Sequence, residues 1–150
     1  MKALSRQEAM EWCQKNSIPL NSRFLPERSN LDFTFRIPQD SQKRVAMAQR
    51  AMRPFADQKA LLVWFDDWSV WQSGQRMHIF DRFRASYGET RKLIDRPAQL
   101  FEQGDIEDAI SFVTIAVLFL WDCYVLCSDQ NRFLFFSHDE FAGTRGFKLD

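Results

Sequence analysis

Between Leu31 and Ile37 every second residue is apolar: Leu31, Phe33, Phe35 and Ile37 alternate with Asp32, Thr34 and Arg36. A period of two is that of a strand with one packed face and one wet face. Ala60–Phe65 lacks this alternation because both of its residue sets are apolar, which predicts a central strand covered on both sides. Helical spacing begins at Ser5-Arg6-Gln7-Glu8, a capping box in which the Ser hydroxyl and the Glu carboxylate each take a free backbone N–H. Ala9, Trp12 and Cys13 share the face that follows, and Ile18-Pro19 ends the element.

Pro38 stops the alternating strand, and Asp40 is placed to cap a second helix running to about Arg53. Val45, Ala48, Met52 and Phe55 form its inner stripe, and Pro54 closes it. A third helix is expected from about Gly74 to Tyr87, with Phe80, Phe83 and Tyr87 inward and Gly88 as terminator. The most apolar helix spans roughly 106–120 behind Asp105. Its longest apolar run, Phe112–Trp121, is half the length of about 20 residues that crosses a bilayer, so it is expected in the core and not in a membrane. Cys123–Cys127 and Phe133–Phe136 read as strands joined by a hairpin turn at Ser128–Asn131. Residues 19–30 and 89–104 read as polar connections. Ser137–Glu140 reads as the start of a short helical turn, followed by a fraying tail.

This order predicts a single α+β domain over residues 1–150. Its sheet is expected to be mixed and roughly four-stranded with a C-terminal hairpin, and its helices packed mainly on one face.

Composition alters that picture in one respect. Fifteen Phe, five Trp and two Tyr are a heavy aromatic load, which needs either a bulky core or a binding surface. Lys plus Arg number 20, as do Asp plus Glu, so there is no global basic excess for phosphate neutralisation and nucleic acid is not an expected partner. A neutral chain is also weakly protected against self-association, which keeps a homo-oligomer among the expected states. The cysteines at 13, 123 and 127 have no zinc-ligand spacing and read as buried thiols. No apolar signal segment follows Met1, and cytoplasm is the expected compartment.

Four groups of residues carry candidate chemistry. Ser137-His138-Asp139-Glu140 follows an apolar strand with proton-transfer and ligand groups, although Ser-x-x-Glu is equally a capping box and capping is the preferred reading. Asp66-Asp67 leaves the central strand in the manner of a metal-holding carboxylate pair, or simply ends that strand at a turn. Trp68 and Trp71 sit where a loop is expected, as interface anchors or as a plug over the sheet. Arg76, Arg82, Arg84, Arg91, Lys92 and Arg96 read as a solvated face, with Arg82 and Arg84 as candidate contacts for a partner.

Phosphate-cradling glycine motifs, nucleophile elbows and zinc-protease motifs are absent, so neither a cofactor nor a bound metal is expected. The leading expectation is a non-catalytic module that binds another protein through Trp68, Trp71, Arg82 and Arg84. The rival is a small metal-assisted hydrolase or nuclease using Asp66, Asp67, His138, Asp139 and Glu140, which requires those side chains to converge.

Overall fold

A computed structural model describes residues 1–29, 31–68, 77–128 and 132–149, with Met77 described in its backbone alone. Helix α1 (Arg6–Lys15) starts as its capping box dictates: the Ser5 Oγ accepts the Glu8 N–H, and the Ser5 N–H donates to Glu8 Oε2 at 2.7 Å. Helix α2 (Ser41–Met52) starts at Asp40, whose carboxylate accepts the Lys43 N–H at 2.9 Å, and runs into a single 3-10 turn at Arg53–Phe55. Helix α3 (Met77–Ala85) is followed by Gly88 at φ 76°, a left-handed position suited to a residue without a Cβ. Helix α4 (Ile106–Leu118) buries Phe112, Val113, Ala116 and Val117.

The strands are β1 (Lys2–Leu4), β2 (Phe33–Arg36), β3 (Ala60–Phe65), β4 (Ala98–Glu102), β5 (Cys123–Cys127), β6 (Phe133–Phe136) and β7 (Phe141–Arg145). Among the described residues they form one sheet in the order β1-β4-β3-β5-β6-β7-β2, with antiparallel pairing throughout. The architecture is therefore an α+β domain built on a seven-stranded antiparallel sheet, which corrects the expected mixed, four-stranded one. The extra strands are short or disguised. β1 has three residues directly before a helix cap, β4 lies in a stretch whose surroundings are polar, and β7 contains Gly143. The helical turn expected at Ser137–Glu140 is instead a hairpin turn. The Ser137 N–H donates to the Phe141 carbonyl at 2.8 Å, and Glu140 takes φ 61° to bring the chain back into β7.

β3 is central, with β4 on one side and β5 on the other, and its two faces feed two cores. Leu61, Val63, Phe65, Phe101, Val125 and Leu134 pack under α2, α3 and α4. Leu62, Trp64, Tyr124, Leu126 and Phe135 pack on the opposite face under α1 and the connection holding Ile18 and Leu25. Helices thus lie mainly on one face. Leu31 breaks the alternation expected of its strand by joining the second core while Phe35 and Ile37 join the first. It lies across β7, where a Cβ at Gly143 would stand 2.4 Å from Leu31 Cδ1. Cys13, Cys123 and Cys127 are buried free thiols. No helix among the described residues is long and apolar enough to cross a membrane.

The aromatic load is spent largely in the first core. Phe112 of α4 meets Phe80 and Phe83 of α3, each at 4.6 Å between centroids, and Phe101 of β4 at 5.2 Å. Such edge and offset contacts add to the area each ring buries. Replacing Phe112 by Ala is expected to destabilise the fold by about 3–5 kcal/mol, seen as a lower urea midpoint with an unchanged slope. A loss below about 1 kcal/mol would show that the site closes up and that Phe112 is not the hinge of this cluster.

Candidate functional site

The β3–β5 ladder does not stop at the strand ends. Asp66 N–H donates to the Asp122 carbonyl at 3.1 Å, and Asp122 N–H donates to the Asp67 carbonyl at 2.8 Å. Backbone pairing therefore fixes these three aspartates next to one another where two buried strands reach solvent. Register then brings in the β6–β7 turn, because Cys123 pairs with Phe136 and the next residues outward are Asp122 and Ser137. The Asp122 carboxylate is 6% exposed and accepts the His138 backbone N–H at 2.7 Å. The same oxygen lies 2.8 Å from His138 Nδ1. On its other side, His138 Nε2 is 3.5 Å from Asp139 Oδ1, and the Ser137 hydroxyl accepts the Asp139 N–H at 3.2 Å.

These groups line a depression of about 410 Å³, with Arg23 and Arg28 reaching in from the connection after α1. The Arg28 guanidinium stacks 4.2 Å from the Phe135 ring centroid and 5.4 Å from that of Tyr124. The buried Tyr124 hydroxyl has no hydrogen-bond partner among the described residues. Loss of water pushes this phenol well above its ordinary range, and the charges it feels are those of Arg28, Asp66, Asp122 and Arg23. The Asp66 carboxyl is raised above the usual aspartate value, first by desolvation and then by the Asp122 charge, against the pull of Arg23, Arg28 and Arg6. A second hollow shares Asp66 and Asp67 but is flanked by Trp68 and Ile94, the latter 70% exposed.

The fold thus brings Asp66, Asp67, His138 and Asp139 together, whereas Glu140 does not line the depression and pairs with Arg36 at 3.6 Å. Among the described residues no group of three or more His, Cys, Asp or Glu is placed to hold a metal ion. Trp68 is half-buried and packs against the first core, while Trp71 lies outside the described residues. Arg82 is exposed on α3 beside an apolar hollow containing Ile79, Phe83 and Ile110.

Arg84, expected on the solvent side, is 1% exposed. Its guanidinium donates to the Arg91 carbonyl at 2.8 Å and stands 3.6 Å from Asp81. Residues 89–97 close over it, and their carbonyls replace the water that an arginine on a bare helix would keep.

Sequence reasoning missed Tyr124, Arg23 and Arg28, and gave Asp122 no more than a supporting place beside the Asp66–Asp67 pair. Asp122 carried a signal, a carboxylate directly before an apolar strand, and so did Tyr124, the one ring in that strand with a hydroxyl. No protein-family model matches the chain, and no curated protein or solved structure shows significant similarity to it.

A carboxyl whose folded pKa is raised above 3.8 favours the protonated fold, so its contribution to stability is fully present below 3.8 and is lost as pH climbs through the raised folded value. Asp66→Asn removes the ionisation penalty. The variant is expected to melt at a higher temperature than the wild type near pH 7, with the gap closing below the ordinary aspartate value of 3.8. A lower melting temperature near pH 7 would mean that the charged carboxylate is held by favourable partners.

Proposed function

We propose that this chain is a non-catalytic protein-binding module whose contact face is the end of the sheet around Asp66–Trp68 and Ser137–Asp139. One observation carries the reading: two adjoining hollows share Asp66 and Asp67, one rich in carboxylates and the other flanked by Trp68 and Ile94. Protein contact surfaces combine apolar anchors with charges that complement the partner. Four aspartates against two arginines make the acidic hollow net negative, so the partner it suits presents basic side chains.

A second reading, a small hydrolase, takes its support from the Asp122–His138 pair. A buried carboxylate on Nδ1 is how an imidazole is oriented for general-base work. It gains less from the neighbouring groups, because the Ser137 hydroxyl accepts from Asp139 N–H and Nε2 faces the Asp139 carboxylate. Its metal-assisted form also lacks a placed donor set among the described residues.

The test is affinity capture from the native cell with the wild type, Asp139→Lys, Trp68→Ala and an α2 surface control, Lys43→Glu. Asp139 is 67% exposed, so its charge reversal leaves the core untouched. A partner held by the wild type and the control is expected to be recovered about tenfold less by Asp139→Lys, through slower association. Equal recovery by all four proteins would rule out this face as the contact surface.

A further inference from the structure

We propose that β2 is a self-association edge: two copies of this chain join antiparallel through their β2 strands, about a two-fold axis at Thr34, into one continuous sheet. This edge is distinct from the contact face at Asp66–Trp68 and Ser137–Asp139, and its role does not depend on that face.

β2 closes one side of the sheet, with β7 on its inner flank and no strand among the described residues on its outer one. Phe33, Thr34 and Arg36 are exposed and Phe35 is half-buried. β1, at the opposite edge, has three residues, with Ala3 and Leu4 buried.

The hydrogen bonds on the inner flank determine which groups remain for the outer one. The Ile37 N–H donates to the Glu140 carbonyl at 2.8 Å, while the Phe141 carbonyl is turned toward β6, where it accepts the Ser137 N–H. Antiparallel ladders alternate, so Ala142 and Thr144 face Phe35 and Phe33, and Thr34 and Arg36 direct their N–H and C=O groups outward. Asp32 sits at a bulge: its N–H donates at 2.8 Å to the carbonyl of Thr144, the residue registered with Phe33. The Asp32 carbonyl shares a trans peptide with the inward Phe33 N–H, and so points outward as well. An open row of this kind is a template for another strand.

Two-fold registers that join these outward groups are centred on Thr34, Phe35 or Arg36. Centring on Arg36 sets the two arginines opposite each other, and centring on Phe35 leaves them diagonal neighbours. Centring on Thr34 sets Asp32 opposite the second copy's Arg36 and Phe33 opposite its Phe35, and symmetry repeats both pairs. The Thr34 N–H then donates to the second copy's Thr34 carbonyl, and the Arg36 N–H to its Asp32 carbonyl.

The charges are free to take part. The Arg36 side chain is 79% exposed and stands a loose 3.6 Å from Glu140, and Asp32 uses one carboxylate oxygen, Oδ2, on the Gly146 N–H. Charges on an edge strand ordinarily deter other strands. Here Asp32 and Arg36 flank Thr34 symmetrically with opposite signs, so a second copy meets each charge with its opposite. A chain with no net charge adds no long-range repulsion between copies.

The experiment is sedimentation velocity of the full chain over a concentration series. Strands this short fall below the roughly 1,200 Å² of a lasting interface, so a dimer that dissociates on dilution is expected. Thr34→Pro removes an outward donor and no β7 hydrogen bond, and is expected to fold and to stay monomeric. Arg36→Asp and Asp32→Arg each set like charges opposite one another, and each is expected to weaken self-association about tenfold. Mixing these two variants is expected to restore pairing as a heterodimer, since every opposed pair is then of unlike sign. Circular dichroism checks the fold of each variant. Should Thr34→Pro not fold, the charge-swapped mixture decides, because both of its substitutions lie at exposed positions. A wild type that stays monomeric throughout, a dimer indifferent to Thr34→Pro or Arg36→Asp, or charge variants that do not pair when mixed would each overturn the β2 pairing.

Discussion

The pairing of β3 with β5 is the constraint on which the rest of the molecule depends. Five registered pairs join two strands buried on both faces, so neither strand can slip by one residue without exchanging its two cores. Leu61, Val63 and Phe65 must face α2, α3 and α4, while Leu62 and Trp64 must face α1. The same register determines what lies beyond the strands. Asp66, Asp67 and Asp122 are adjacent because the ladder continues through their backbone atoms, whatever their side chains prefer. Like charges are thus held together by hydrogen bonds that do not involve them.

That arrangement costs stability, because Asp66 is held partly out of water beside a second carboxylate. The aromatic core is where the compensation lies. Phe65, at the end of β3, meets Phe80 at 4.8 Å and Trp121 at 5.9 Å, and Trp121 immediately precedes Asp122. The residues directly inside the acidic cluster are therefore among the most firmly packed in the protein. A rigid support of this kind keeps the clustered carboxylates from relaxing away from one another.

How much of this is legible in the sequence depends on how local each feature is. The Ser5 and Asp40 caps, the both-faces-buried β3, the apolar α4 and the β5–β6 pair follow from neighbouring residues and appear where the pattern places them. β1, β4 and β7 are three to five residues long and gain their identity from the strands beside them, so pattern alone passes over them. Helices between strands suggest parallel pairing, yet here the chain returns to the same end of the sheet and pairs antiparallel. The site divides in the same way. Asp66, Asp67, His138 and Asp139 are visible as reactive types, but their meeting depends on the pairing of Cys123 with Phe136. Reading Ser137–Glu140 as a helix cap fails because β7 supplies the partner for Ser137 N–H that a helix start would otherwise need. Arg84 misleads because charge signals solvent. Its position four residues after buried Phe80 puts it on the covered stripe of α3, and that spacing was the available clue.

The central claim is that the ladder holds the Asp66 carboxyl beside Asp122 and partly out of water, a cost that the more distant Arg23, Arg28 and Arg6 only partly offset. It is tested most directly by following the Asp66 side-chain carboxyl carbon by NMR as pH is varied in the free wild-type chain. The account predicts a midpoint above the ordinary aspartate value of 3.8. A midpoint at or below that value would contradict it, because the arginines would then outweigh desolvation and the Asp122 charge.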